Sequence, residues 1–109
     1  MDLSFETKAL RQLCMSEVIV ERDLGNEVAV MLKHRLADLR AAACVNDLIV
    51  GNPRELNRKN FQQYILDLVD GYGLIFCANH NTNPQLSCGK TDWSKVSRIK
   101  ILNIGKIND

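Results

Sequence analysis

Hydrophobic spacing along this chain changes character twice. In the first five residues, MDLSF, apolar and polar side chains alternate, which is the period of a short strand. From Glu6 to about Arg22 the spacing turns helical, with Ala9, Leu10, Leu13 and Cys14 at i, i+1, i+4 and i+5. The β-branched residues of Glu17-Val18-Ile19-Val20 blur where that helix ends. Gly25-Asn26 marks a break. The clearest helix follows. Val28, Leu32, Leu36, Leu39 and Ala43 form one apolar stripe, Lys33, His34, Asp38 and Arg40 lie away from it, and Asn26 or Asp23 stands where a cap belongs. Two helices with one apolar side each are expected to pair as an antiparallel hairpin.

The helical pattern ends near Asn46. Gly51, Asn52 and Pro53 cannot continue a helix, so residues 50–56, VGNPREL, read as a loop. The period then changes to two. Tyr64, Leu66 and Leu68 alternate with Ile65, Asp67 and Val69, Asp70-Gly71 predicts a tight hairpin, and Tyr72 to Cys77 is the return strand. Residues 78–92 are polar and turn-rich, which predicts a long loop of the kind often used for function. A last strand, Val96 to Ile104, has Ile99 and Ile101 on one side and Val96, Leu102 and Ile104 on the other. The order β-α-α-β-β-β predicts one α+β domain over residues 1–109, an N-terminal helical hairpin packed on a small, mainly antiparallel sheet.

Composition narrows the functional classes. At 109 residues, 46% apolar and 25% charged, the chain has an ordinary globular balance and can build a core without staples. A net charge of +1 supplies no global field, so any nucleic-acid site must be a local patch. Cys14, Cys44, Cys77 and Cys88 form no CxxC pair, and the chain neither opens on a signal-like segment nor contains an apolar run of membrane-spanning length. Free thiols in a reducing cytoplasm, with no membrane and no cofactor, are the expectation. Cys77-x-x-His80 before Cys88 has zinc-binding residue types, but the spacing matches no strong signature and a fourth ligand such as Asp92 would have to be guessed. No metal site is expected. His34 reads as solvated, Trp93 as a core anchor where the long loop rejoins the sheet, and Tyr64 and Tyr72 as strand aromatics.

The stretches LSFETKALRQLC (3–14), LKHRLADLRAA (32–42), GNPREL (51–56), DGYGLIF (70–76) and TDWSKVSRIKILNIG (91–105) together resemble HigB-like "killer" proteins of the RelE superfamily. These are plasmid-maintenance toxins of bacterial type II toxin–antitoxin pairs. The similarity runs in order over nearly the whole chain. It implies a RelE/ParE-like sheet against a helical hairpin, a ribosome-dependent endoribonuclease acting on mRNA, and a cognate antitoxin that neutralises it. In such an enzyme the RNA 2′-OH attacks the neighbouring phosphate, a base and an acid move the protons, and cations stabilise the phosphate. Arginine suits the last task because its fork binds two oxygens.

The chain departs from the family pattern where that chemistry sits. Gly73 stands where the phosphate-holding arginine is expected, in Gly71-Tyr72-Gly73-Leu74-Ile75-Phe76. Gly105-Lys106-Ile107-Asn108 replaces a Gly-Asp-Tyr-His run, so the aromatic and the imidazole are both substituted. The basic turn after Glu55-Leu56 reads Asn57-Arg58-Lys59-Asn60-Phe61. Arg58, Lys59 and Tyr72 are therefore the catalytic candidates, and Arg54, Arg58, Lys59, Arg98, Lys100 and Lys106 the RNA-binding ones. A non-catalytic homologue that binds an antitoxin is the alternative. The apolar residues of Glu17-Val18-Ile19-Val20 are either part of that partner surface or buried in the chain's own core.

Overall fold

A computed structural model of the protein describes residues 1–58 and 61–107. The elements are β1 (Asp2–Phe5), α1 (Lys8–Met15), α2 (Glu17–Leu24), α3 (Asn26–Ala41), β2 (Arg54–Arg58), β3 (Phe61–Asp67), β4 (Tyr72–Ala78) and β5 (Arg98–Lys106), with single 3-10 turns at Val45–Asp47 and Trp93–Lys95. The fold is α+β, as expected. No helix among the described residues is long and apolar enough to cross a membrane.

The first predicted helix is two helices. Ser16 takes an extended backbone conformation, its N–H donates to Gln12 O to close α1, and its hydroxyl accepts from Ile19 N at 3.2 Å to open α2. One serine thus terminates one helix and caps the next, a use for which its short side chain is suited. Thr7 caps α1 in the same way, accepting from Leu10 N at 3.1 Å. Gly25, at φ 89°, turns the chain from α2 into α3. It holds the N-cap position of α3 without a side-chain hydrogen bond, so neither Asn26 nor Asp23 caps that helix. Val28, Leu32, Leu36 and Leu39 are buried along α3 as their spacing predicts, whereas Ala43 is exposed and lies beyond the helix end at Ala41.

The sheet has five strands in the order β1-β5-β4-β3-β2. β1 runs parallel to β5 and the other pairs are antiparallel. The segment read as a loop over 50–56 contains the start of an edge strand, because Arg54 to Arg58 pair with Ile65 to Phe61. A run of Arg, Glu, Asn and Arg has weak strand propensity of its own; the ladder to β3 supplies the order, and charge suits an edge. The Asp70-Gly71 hairpin forms as predicted. Both residues have positive φ (56° and 79°), Tyr72 N donates to Val69 O at 3.0 Å, and Leu68 N donates to Tyr72 O at 2.8 Å, so Val69, Asp70 and Gly71 form a three-residue loop between Leu68 and Tyr72.

Strict alternation fails in β5. Ile75 pairs with Asn103 but Phe76 pairs with Ile101, so Leu102 is the extra residue of a bulge. The bulge shifts the phase by one. Ile104 therefore joins Ile99 and Ile101 on one buried face instead of lying opposite them. That face, with Leu66, Leu74 and Phe76, packs on Val20, Ala29, Leu32, Leu36 and Leu39 of the helices and forms the core. Tyr64 and Trp93 meet at its margin with ring centroids 4.9 Å apart and planes tilted by 58°, and Trp93 is buried as the anchor of the long loop.

Candidate functional site

Register assigns each candidate side chain to a face of the sheet. Tyr72, Leu74 and Phe76 alternate onto the helix-bearing face, and Lys106 pairs with Tyr72. Arg54 pairs with Ile65, and Lys100 with Cys77, on the opposite, outer face; Arg98 is two residues before Lys100 and shares it. The predicted set is thus divided between two faces. Lys59 and Asn108 lie outside the described residues. Arg58 ends β2, and nothing is assigned to its side chain.

The outer-face cations have carboxylates beside them. Arg54 Nη1 donates to Asp67 Oδ1 at 3.0 Å and to Asn52 O at 3.1 Å. Lys100 Nζ meets Glu6 Oε2 at 2.9 Å, and that hydrogen bond raises the lysine's pKa. Arg98 Nε is 3.6 Å from Asp2 Oδ2. Sequence reasoning missed all three partners. β1 brings Asp2 and Glu6 to β5 only through the parallel pairing Asp2↔Arg98 and Ser4↔Lys100, a contact between the two ends of the chain. On the other face Lys106 Nζ donates to Asp70 O at 2.9 Å and lies 4.9 Å from the Tyr72 ring centroid. It fastens the last strand to the hairpin turn.

Gly73 faces Gly105 across the β4–β5 ladder on the outer face. Ile107 continues that ladder, donating from its N–H to Gly71 O at 3.0 Å, and its side chain leans over Gly73. A Cβ at position 73 would stand 2.5 Å from Ile107 Cγ1 and 3.3 Å from Leu66 O. The Ile107 side chain thus fills the space over Gly73 on the outer face. Beside it, a depression of about 360 Å³ is lined by Arg54, Asp67, Asp70, Tyr72 and Ile107.

The metal reading is not supported: among the described residues no group of three or more His, Cys, Asp or Glu side chains is placed to hold a metal ion. His80 Nε2 is occupied instead by backbone donors, Ser97 N at 3.1 Å and Arg98 N at 3.3 Å. Tyr64, whose hydroxyl pKa is raised by burial and then by Glu55, belongs to the aromatic cluster with Phe76 and Trp93. His34 is exposed. In α2, Val20 is buried and Val18 is 75% exposed, so the apolar run there divides between core and surface.

The four thiols are free and differ in accessibility. Cys14 lines a cleft of about 490 Å³ among α1, α2 and α3, where burial pushes its thiol up to about 11, partly offset by Arg40. Cys88 is exposed on the long loop. Iodoacetamide at pH 8, followed by mass spectrometry, is expected to modify Cys88 well before Cys14. Folded Cys14 holds its proton above the ordinary thiol value of 9.0, so stability falls as pH rises from about 9 towards about 11. Cys14→Ala is expected to flatten that alkaline loss in urea midpoints; an unchanged slope would exclude Cys14 as its source.

Comparison of the chain with protein-family models, with curated proteins and with solved structures finds no match.

Proposed function

We propose that this chain is a RelE/HigB-like toxin homologue that works by binding a protein partner of the antitoxin kind and does not cut mRNA. Its motif order and its helical hairpin on one face of a mainly antiparallel sheet support the ancestry. The observation that carries the loss of chemistry is the Ile107 side chain packed on Gly73. A phosphate needs donors converging on one point. Here the outer face offers a filled notch, with Arg54, Arg98 and Lys100 each beside a carboxylate.

A second reading keeps ribosome-dependent cleavage. Arg54, Arg58 and Lys59 stand close together in the sequence and bring three positive charges to one stretch of the chain. Induced expression in bacteria separates the two. The proposed function predicts normal growth from folded, soluble protein, and a stable complex on co-expression with the product of a small neighbouring gene carrying a DNA-binding domain. Growth arrest with cleavage of translated mRNA, lost in Arg54→Ala/Arg58→Ala/Lys59→Ala, would overturn it in favour of the second.

A further inference from the structure

β1 is an edge of the sheet, and among the described residues no strand covers its outward side. Asp2 N donates to Ser97 O at 3.0 Å and Glu6 N to Ile101 O at 2.9 Å, so the even-numbered residues turn their backbone groups to β5. Alternate residues of a strand turn to opposite sides, which leaves the N–H and C=O groups of Leu3 and Phe5 on the open edge. The side chains alternate too. Asp2 and Glu6 stand on the outer face with Arg98 and Lys100, and Leu3 and Phe5 lie half-buried against the core on the helix-bearing face. Along this edge runs a depression of about 590 Å³, lined by Leu3, Phe5, Glu6, Lys8, Arg11 and Met15, of which Met15 is 62% exposed.

We infer that this groove receives an acidic, extended segment of a partner protein, which adds to β1 as a further strand. The inference rests on the reading that the chain works by binding a protein, and it names the face used and the chemistry of the segment. Charge decides the sign. Glu6 is held by Lys100 at 2.9 Å, whereas Lys8 and Arg11 make no ion pair among the described residues. Arg22, Arg35, Lys95 and Arg98, by contrast, each have a carboxylate within 4.0 Å. The groove thus sets two cations without partners beside backbone donors and acceptors without partners. A second copy of this chain would bring two more cations into the same groove, a like-charge contact that disfavours it. RNA would answer the cations but offers no peptide ladder to Leu3 and Phe5. On an added strand, side chains of the helix-bearing face meet Leu3, Phe5, Lys8, Arg11 and Met15, which suits alternating Glu and Leu. Those of the outer face meet Asp2, Ser4 and Glu6, which suits neutral hydroxyl residues.

The probes are the peptide acetyl-Thr-Glu-Thr-Leu-Thr-Glu-Thr-amide and its counterpart with Lys in place of Glu, titrated into the full chain at low salt and followed by NMR. The Glu peptide is expected to bind with a Kd below about 1 mM, shifting the Leu3 and Phe5 amides and slowing their exchange. The Lys peptide is expected to bind at least about tenfold more weakly. Lys8→Gln/Arg11→Gln, both at exposed positions, is expected to weaken the Glu peptide about tenfold while amides of the β3–β4 ladder stay where they are. N-methyl groups on one alternate set of peptide residues should abolish binding and on the other set leave it, because only one set turns its N–H groups to β1. Equal binding of the two peptides, tolerance of N-methylation on both sets, or Leu3 and Phe5 amides that do not move would overturn the inference. A heptauridylate that displaces the Glu peptide from this edge would overturn it in favour of RNA. The peptides are read on this chain alone, so their failure leaves the protein-binding reading standing on its own growth and co-expression test.

Discussion

Phe76→Ala is expected to cost about 3–5 kcal/mol of folding stability. Phe76 is fully buried. Its ring lies 5.7 Å from that of Tyr64 and 6.4 Å, edge to face, from that of Trp93. Its strand partner is Ile101, at the bulge that brings Ile104 to the same face. The substitution thus removes the largest side chain of the β4 core surface and leaves a cavity between sheet, helices and long loop. A small domain has only about 5–15 kcal/mol in all, so the variant is expected to be near its folding threshold at 37 °C. Urea midpoints followed by Trp93 emission and by far-ultraviolet circular dichroism provide the measurement. Phe76→Leu keeps most of the volume and is expected to lose much less. A loss below about 1 kcal/mol in Phe76→Ala would mean that this ring does not organise the core.

The second large effect is at Gly73. Gly73→Ala is expected to lower stability by about 1–3 kcal/mol, and Gly73→Arg by at least as much, because the new Cβ overlaps Ile107 Cγ1. Gly73→Arg is also the substitution that returns the residue type the resemblance expects. Ile107→Gly should by itself cost little, since it removes one side chain at the sheet's end. The double variant tests the mechanism: with Ile107→Gly in place, most of the Gly73→Arg penalty is expected to vanish, a coupling of about 1 kcal/mol or more. Strictly additive losses would locate the strain elsewhere, with Leu66 O, at 3.3 Å, the next candidate. The same pair bears on function. If Gly73→Arg/Ile107→Gly folds and still leaves growth of the expressing cells unaffected, opening the notch and placing an arginine there is not enough for catalysis.

Local chemistry made some features legible in the sequence. The stripe Val28, Leu32, Leu36 and Leu39 predicted α3 and its buried side, because helical periodicity is a property of consecutive residues. Asp70-Gly71 predicted the β3–β4 hairpin for a similar reason: the turn has positive φ at both positions, and that pair tolerates it. Ser16 was missed although its signal was local. A serine four residues before the apolar Val20 reads equally well as helix interior or as cap, and only its extended conformation decides.

Tertiary structure decided the rest. β2 exists because β3 lies beside it, and its Arg-Glu-Leu-Asn-Arg run has little reason to be a strand alone. The face of Ile104 depends on a bulge that arises from the register with β4. The candidate site shows the same division. The arginines and lysines were visible along the chain, but their carboxylate partners, from 2 and 6 on one side and 67 on the other, arrive by strand pairing over long sequence separations. Gly73 and Ile107 were each visible in the sequence as departures from the pattern that the resemblance implies. That one fills the space above the other was not, because they are 34 positions apart and meet only across the β4–β5 ladder. Periodicity and turn chemistry act through bonded neighbours and are written in the sequence; charge neutralisation and the filling of a notch act through space, and the fold determines which residues meet.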